Sequence, residues 1–340
     1  MTDPQPQMRP IRGERVLVTG GSGFIGRSVC RHLAKAGAEV LNYDLKPWPG
    51  SETGPHTVIG DIENFSGFAA VCRQHQPSVL IHLAAFASVT ASSRADFSSI
   101  WNGTRVAAEV FATEAQTPQR FVNVSTQVVI RQGPQPTDLW AYDPYTPYGE
   151  AKAEAEQLLH SMDRPFDVIH VRPTNIWGPH HPSYADSVMR YLAKGWYLHP
   201  TATAPVVRTY GYVDNCALQL ISAAFSNALV DNEILYSGDA AIDSAEFLDA
   251  MSQVLRGKPV RRLPLSLLRI VGNAGTHLQQ AGVPFPLDRE RVMRMSTDYV
   301  VPLEPMHAVM AFQSTPFDVG MRRTARWYHA GAHRDWEPAP

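Results

Sequence analysis

The chain has 340 residues, 44% of them apolar and 18% charged, with a formal charge of -2 at pH 7. This length exceeds one small core and calls for a domain of roughly 170 residues beside a smaller partner. The composition excludes a largely disordered chain, and the near-neutral charge excludes the broad basic field that nucleic-acid binding requires.

The polar, Pro-rich start MTDPQPQMRP lacks the apolar stretch of a signal peptide and reads as a tail. Arg15–Thr19 is a short apolar run, followed at once by Gly20-Gly21-Ser22-Gly23-Phe24-Ile25-Gly26. Ile25, Val29 and Leu33 then recur on one helical face, and Gly37 provides a stop. A second strand over 38–43 runs into Asp44. Strand, Gly turn, helix and strand together suit a dinucleotide. Gly20 permits the tight turn, Gly23 lets backbone approach a pyrophosphate, and Gly26 lets helix and strand pack closely. The helix start offers free N–H groups and a favourable dipole to the anion. Asp44 suits the adenosine ribose hydroxyls and repels a 2′-phosphate, so NAD is expected over NADP despite the nearby Lys46. Gly60-Asp61-Ile62 ends another strand over 57–59 and is placed beside the adenine, a position compatible with Asp61 also capping the following helix.

Further along, strands are expected over 79–83 and 121–125, the latter ending in Ser125-Thr126. Tyr148 and Lys152 lie four residues apart at the start of a helix whose apolar face carries Ala151, Ala155, Leu158, Leu159 and Met162. Both side chains therefore project the same way. A strand over 168–171 leads to Arg172-Pro173-Thr174-Asn175. The segment after it holds His180, His181, Tyr184, Trp196 and Tyr197, able to cover or stack on a base; the adjacent histidines have no third ligand at a metal-like spacing, so no metal is assigned. The apolar stretch 263–283 is interrupted by Arg269, Asn273 and His277 and reads as a helix packed in the second lobe, not a membrane span. The last stretch, 298–327, ends in a helix with Met321, Ala325 and Trp327. Cys30, Cys72 and Cys216, far apart and odd in number, fit reduced packing thiols of a cytoplasmic protein.

In their order, TGGSGFIG, the acidic strand end, GDI, HLAA, VST at 124–126, PYGEAK at 147–152, RPTNIWGP at 172–179 and RTYGYVDN at 208–215 resemble the NAD-dependent epimerase/dehydratase family of extended short-chain dehydrogenases. The resemblance implies an α/β fold, a Rossmann doubly wound parallel sheet over 11–175, with a smaller mixed α/β substrate lobe over 176–330 from which a strand and a helix can return. It implies NAD held by Gly20, Gly23, Phe24, Ile25, Gly26, Asp44, Asp61, Ile62, Leu83, Ala84, Ala85, Tyr148, Lys152, Pro173 and Thr174. Tyr148 would be the acid/base, Lys152 would bind the nicotinamide ribose and lower the tyrosine pKa, and Thr126 would hydrogen-bond the reacting oxygen. Thr126, Asn175 and Arg208 would meet a nucleotide-diphosphate sugar, and the chain would pair as a homodimer.

Departures narrow the reaction. The Asp-Glu pair that performs elimination in sugar 4,6-dehydratases is replaced by Gln127 and Val128, which disfavours a dehydratase. The family's Tyr-Gly after this motif is Ile130-Arg131, and its helix Asn is Ile100, for which Ser99 rather than the displaced Asn102 would compensate. The expected activity is an NAD-dependent nucleotide-sugar epimerase acting at carbon four. The alternatives are a nucleotide-sugar 4-ketoreductase, a hydroxysteroid-type dehydrogenase, or a non-catalytic dinucleotide sensor or scaffold.

Overall fold

The computed structural model describes residues 8–49, 54–86, 93–181, 184–201, 204–283 and 285–331; most of the expected N-terminal tail lies outside them. The first half alternates strand and helix: β1 (Arg15–Thr19), α1 (Phe24–Lys35), β2 (Glu39–Asp44), β3 (His56–Ile59), α2 (Phe65–His75), β4 (Val79–His82), α3 (Ser98–Glu114), β5 (Arg120–Val124), α4 (Pro147–Ser161) and β6 (Asp167–Pro173). Then come β7 (Asn175–Trp177), α5 (Arg190–Ala193), β8 (Leu198–Thr201), β9 (Val207–Arg208), β10 (Tyr210–Tyr212), α6 (Val213–Phe225) and β11 (Glu233–Ser237). The chain continues with β12 (Ile242–Asp243), α7 (Ser244–Arg256), β13 (Arg261–Pro264), α8 (Leu265–Gln280), α9 (Arg289–Arg294), α10 (Glu304–Val309) and α11 (Phe317–His329).

Seven strands form one parallel sheet in the order β11-β6-β5-β4-β1-β2-β3. Strands buried on both faces read as continuous apolar runs, as in VLIH of β4. Alternation then divides each strand between two cores. Val16, Val18, Val79 and Ile81 meet α1 and α6, whereas Leu17, Leu80, Phe121 and Val168 meet α2, α3 and the end of α4. Strand order reverses between β1 and β4, and the crevice beyond their carboxyl ends is where open α/β sheets take ligands.

The chain after residue 176 is interleaved with the sheet rather than set apart from it. β11 pairs with β6 and closes the sheet edge, and α6 packs on α1. The remaining strands pair only two by two: β7 with β10, β8 with β13, and β9 with β12. The expected helix over 263–283 is α8, but among its residues only Leu268, Gly272 and Gly275 are buried, and Ile270 is 66% exposed. It is a surface helix resting on α9, less enclosed than its apolar content suggests. No helix among the described residues is long and apolar enough to cross a membrane. All three cysteines are free and buried.

Candidate active site

Gly20 takes a left-handed φ of +73°, and a Cβ there would lie 2.7 Å from the Ala84 nitrogen. The turn after β1 therefore presses directly on the end of β4, where Leu83 N donates to Thr19 O at 3.0 Å and Ala84 N to the Thr19 hydroxyl at 3.3 Å. This brings Gly20, Leu83, Ala84 and Ala85 to one edge. A Cβ on Gly23 would meet only the Gly20 carbonyl, at 3.1 Å, and otherwise open space. A Cβ on Gly26 would fall 2.2 Å from the Gly20 carbonyl. Gly26 is thus required by the turn's own backbone, more than by the helix-strand contact that the sequence suggests. The first bond of α1 runs from Arg27 N to Gly23 O at 3.0 Å, so the N–H groups of Phe24, Ile25 and Gly26 lie ahead of it. These are the donors an anion uses at a helix start.

Asp44 closes the far side of this cradle. Its carboxylate accepts from Ser22 N at 2.9 Å and from Lys46 N at 3.0 Å. Burial raises its pKa and these backbone amides oppose the rise. Gly21 and Asn42, absent from the expected set, hold the turn: a Cβ on Gly21 would sit 2.3 Å from Asn42 Oδ1, and Asn42 Nδ2 donates to the Ser22 hydroxyl at 2.9 Å. An Asn in the middle of a buried strand is the signal that could have found it. Asp61 is exposed and accepts from Glu63 N at 3.0 Å; the helix cap expected of it is Asn64, which accepts from Gly67 N at 3.1 Å. Ile62 is 4% exposed and packs on Gly103 of α3, so only its backbone is free to face a ligand.

The catalytic candidates gather at the end of β5. Thr146 caps α4 by accepting from Gly149 N at 3.0 Å, and Pro147 follows at the first helical position. A Cβ on Gly149 would lie 2.6 Å from the Val128 carbonyl, so glycine there allows the helix start to close on the turn after Thr126. The Thr126 hydroxyl lies close enough to the Tyr148 phenol to oppose the rise in its pKa. Lys152, 3% exposed, donates from Nζ to Val124 O at 2.7 Å. All three expected catalytic residues therefore meet at one strand end.

Their electrostatics differ from expectation in one respect. Burial pushes the Tyr148 phenol up to about 12, and it is the Thr126 hydroxyl, not Lys152, that opposes the rise. Burial likewise draws Lys152 down to about 8, against the charge of Glu156 one turn along. Below the crevice His82 is held by the Thr19 and Thr104 hydroxyls at 2.8 and 3.1 Å, and burial lowers it to about 3, so it stays neutral. Ile100 is buried among Phe97, Ala151 and Ala155, against Tyr148. The Ser99 hydroxyl accepts from Phe86 N at 3.1 Å, while Asn102 turns away to Glu63 at 2.8 Å.

Tyr299 is a positioning residue that sequence reasoning missed. Its hydroxyl lies 2.6 Å from the Gln127 carbonyl and 2.7 Å from the Ile130 carbonyl, clamping the turn that follows Thr126. Tyr299→Phe is expected to cost about 1–3 kcal/mol of stability by stranding the buried Ile130 carbonyl, the Gln127 carbonyl still accepting from Ile130 N at 3.2 Å, with a lower turnover because Thr126 borders the loosened turn. Denaturant melts and initial rates check both effects; an unchanged melt removes the clamp.

The remaining expected residues, Pro173 and Thr174 for NAD and Asn175 and Arg208 for substrate, end or follow β6 or lie on β9, and the side-chain donors of Thr174, Asn175 and Arg208 reach neighbouring backbone. Thr174 donates from its hydroxyl to Ser237 O at 3.1 Å, beside the buried Pro173. Asn175 Nδ2 reaches Thr209 O at 3.3 Å. Arg208 donates from Nη2 to Thr297 O at 3.2 Å and also to Arg294 O. Its charge is felt by Tyr145, Tyr184, Tyr197, Tyr210 and Tyr299, all of them raised by burial. His181 packs edge-on against Phe24 at 4.7 Å, linking the segment after β7 to the Gly-rich turn. Among the described residues no group of three or more His, Cys, Asp or Glu side chains is placed to hold a metal.

Comparison with known proteins agrees with this geometry. The dTDP-glucose 4,6-dehydratase 1 of Escherichia coli (strain K12) is 28% identical over 201 residues, covering 49% of this chain and 56% of the relative, so the chain matches about half that enzyme's length. The UDP-glucose 4-epimerase of Vibrio cholerae is 24% identical over 263 residues, 74% of this chain and 79% of the relative. Among solved structures, the UDP-glucose 4-epimerase of Thermotoga maritima with UDP-glucose superposes with a TM-score of 0.70 at 20% identity, covering 93% of this chain and 99% of that one, which establishes a shared fold. The model of the family described as "NAD dependent epimerase/dehydratase family" matches residues 16–228, and the chain, with its Gly-rich turn, Tyr148 and Lys152 in place, belongs to that family.

Proposed function

We propose that this protein is an NAD-dependent epimerase of nucleotide-diphosphate sugars, inverting carbon four by removal and return of hydride. The observation that carries the reading is the meeting of Tyr148, Thr126 and Lys152 at the end of β5, with no carboxylate at positions 127 and 128 to perform elimination.

The residues of the first turn fit a dinucleotide. The open space at Gly23 and the leading N–H groups of α1 suit two phosphates, and Asp44 suits a ribose diol. When bound, NAD supplies the hydride acceptor that later becomes the donor, together with a positively charged ring. Thr126 holds the sugar hydroxyl against Tyr148, and the phenolate of Tyr148 takes its proton. A phenol at about 12 needs roughly 7 kcal/mol to ionise near pH 7. Tyr148 is therefore a neutral phenol before NAD binds and ionises only once positive charge is brought against it. Proton removal is thereby tied to a loaded site. Returning the proton from Tyr148 completes the cycle. Arg208, with its planar set of donors, is suited to the diphosphate, and the phenols of Tyr184, Tyr197 and Tyr210 that feel its charge are suited to the nucleoside base. Asn175 contributes its remaining amide oxygen to the sugar. By family analogy the chain works as a cytoplasmic homodimer paired through α3 and α4.

The protonation states fix the pH dependence. Turnover needs Lys152 charged, and a lysine at about 8 loses its proton as pH rises through that value. The rate is expected to fall on the alkaline side near pH 8, well below the range of a free lysine; a plateau extending to pH 10 would contradict it.

The test of function is a panel of uridine, thymidine, guanosine and cytidine diphosphate sugars offered to NAD-loaded protein. An epimerase retains its NAD and converts a sugar without net reduced cofactor. A ketoreductase or dehydrogenase would consume or release reduced cofactor in proportion to product, and a sensor or scaffold would turn over none of the panel.

A further inference from the structure

Behind the catalytic helix lies a charged pair that the mechanism above does not use. The side chains of Glu156 and Arg172 are both 0% exposed. Arg172 grips the carboxylate with two donors, Nε to Oε1 at 3.0 Å and Nη2 to Oε2 at 2.6 Å. The Tyr142 hydroxyl donates to Oε2 at 3.0 Å, and Arg172 also reaches Leu139 O at 2.9 Å and the Tyr236 hydroxyl at 3.3 Å. Removing two charges from water costs several kcal/mol per ion, and apolar residues of equal volume often serve stability as well or better. Cohesion between α4 and β6 is therefore a poor reason for the pair.

Its position supplies a better one. Glu156 follows Lys152 by four residues on α4, one turn along the same face. We propose that Glu156, locked by Arg172, is a positioning residue for Lys152: its fixed negative charge keeps the buried ammonium protonated and seated on the Val124 carbonyl at the edge of the reaction cleft. The inference rests on the reading of Tyr148 and Lys152 as the reacting pair.

The surroundings leave Glu156 alone in this task. From β4 the neighbouring titratable group is His82, which burial keeps neutral; from β6 they are His170, drawn down to about 4 by burial, and Arg172. From β11 comes Tyr236, from the loop before α4 Tyr142, and on α4 itself Tyr148, all raised by burial and so neutral. Glu156 is the one carboxylate in this set. Burial disfavours its charge, yet the hydrogen bonds and charge of Arg172 hold its pKa below the ordinary range, so it stays ionised. Burial also opposes the Arg172 charge, and Glu156 more than restores it.

The experiment reads Lys152 directly. NAD-loaded protein carrying carbon-13 lysine is titrated by NMR, the Lys152 resonance being assigned with Lys152→Arg. Native protein is compared with Glu156→Gln and with the double variant Glu156→Gln/Arg172→Met, which removes the stranded arginine charge and keeps the test open if the single variant folds poorly. The expected result is a Lys152 proton affinity at least about tenfold weaker in both variants, one pKa unit or more. The alkaline limb of turnover should move to lower pH in step, kcat falling at neutral pH with little change in KM. The double variant should regain thermal stability lost by the single one while keeping the shifted titration. A folded double variant whose Lys152 titrates as in the native protein overturns the proposal and leaves the pair as scaffold. If the lysine titration shifts while native protein converts none of the nucleotide sugars, the charge relation stands and the functional reading fails.

Discussion

Tyr148→Phe is expected to lower turnover by about 10³-fold, within the range for loss of a general acid/base, while NAD binding persists. The phenol oxygen is the group that takes the proton, whereas the ring is a packing element. It lies 6.1 Å from the Phe97 ring and against Ile100, Ala151 and Ala155, contacts that phenylalanine retains. Thermal stability should therefore hold, and calorimetric titration with NAD should give a near-native affinity. A variant that folds, binds NAD and turns over at the native rate would remove Tyr148 from the chemistry.

The second large effect separates two glycines that look alike in the sequence. A methyl on Gly26 would fall 2.2 Å from the Gly20 carbonyl and 2.6 Å from the Gly21 Cα, both backbone atoms that cannot turn aside. Overpacking of this kind costs about 1–3 kcal/mol, so Gly26→Ala should lower the melting temperature and, by distorting the anion-binding turn, weaken NAD roughly tenfold to a hundredfold. A methyl on Gly23 would meet only the Gly20 carbonyl at 3.1 Å and otherwise project into the space assigned to phosphate. Gly23→Ala should thus weaken NAD to a similar degree with almost no loss of stability. Differential scanning calorimetry paired with NAD titration distinguishes them. If Gly23→Ala binds NAD as well as the native chain, the cradle is misplaced.

The sheet was legible because burial on both faces writes strands as uninterrupted apolar runs, and because Gly20 through Gly26 sits between a strand and a helix. β4, β5 and β6 fall within a few residues of the expected spans, displaced at their ends where capping decides the boundary. The second lobe was harder to read for a physical reason. β9 and β12 are two residues long, and their pairing depends on tertiary neighbours rather than on local pattern. The return of β11 to the sheet edge was foreseen only as an option, since a buried strand such as EILYS has no mark of which sheet it joins.

Within the site, the expected residues that the fold gathers at the end of β5 are Tyr148, Lys152 and Thr126, each picked out by the family's ordered motifs. The residues missed act across long separations. Tyr299 clamps carbonyls about 170 positions earlier, and Asn42 supports a turn on another strand. The Glu156–Arg172 pair reads in sequence as an ordinary helical acid and a strand arginine, and only their complete burial makes them informative. For Tyr148, spacing reports the lysine one turn along but not the depth of the pocket, and burial is the largest influence on the phenol before NAD binds.

The central claim, that the sugar carbon surrenders its hydrogen as hydride and receives the same one back, is tested most directly with isotope. A nucleotide-diphosphate sugar that the panel identifies, deuterated at carbon four, is turned over in ordinary water by NAD-loaded protein, and the product is examined by NMR. Deuterium retained at carbon four of the inverted sugar, with none released to solvent, is the expected result. Its replacement by solvent hydrogen would mean the carbon was ionised rather than oxidised, and would contradict the roles given to NAD, Tyr148 and Lys152 together.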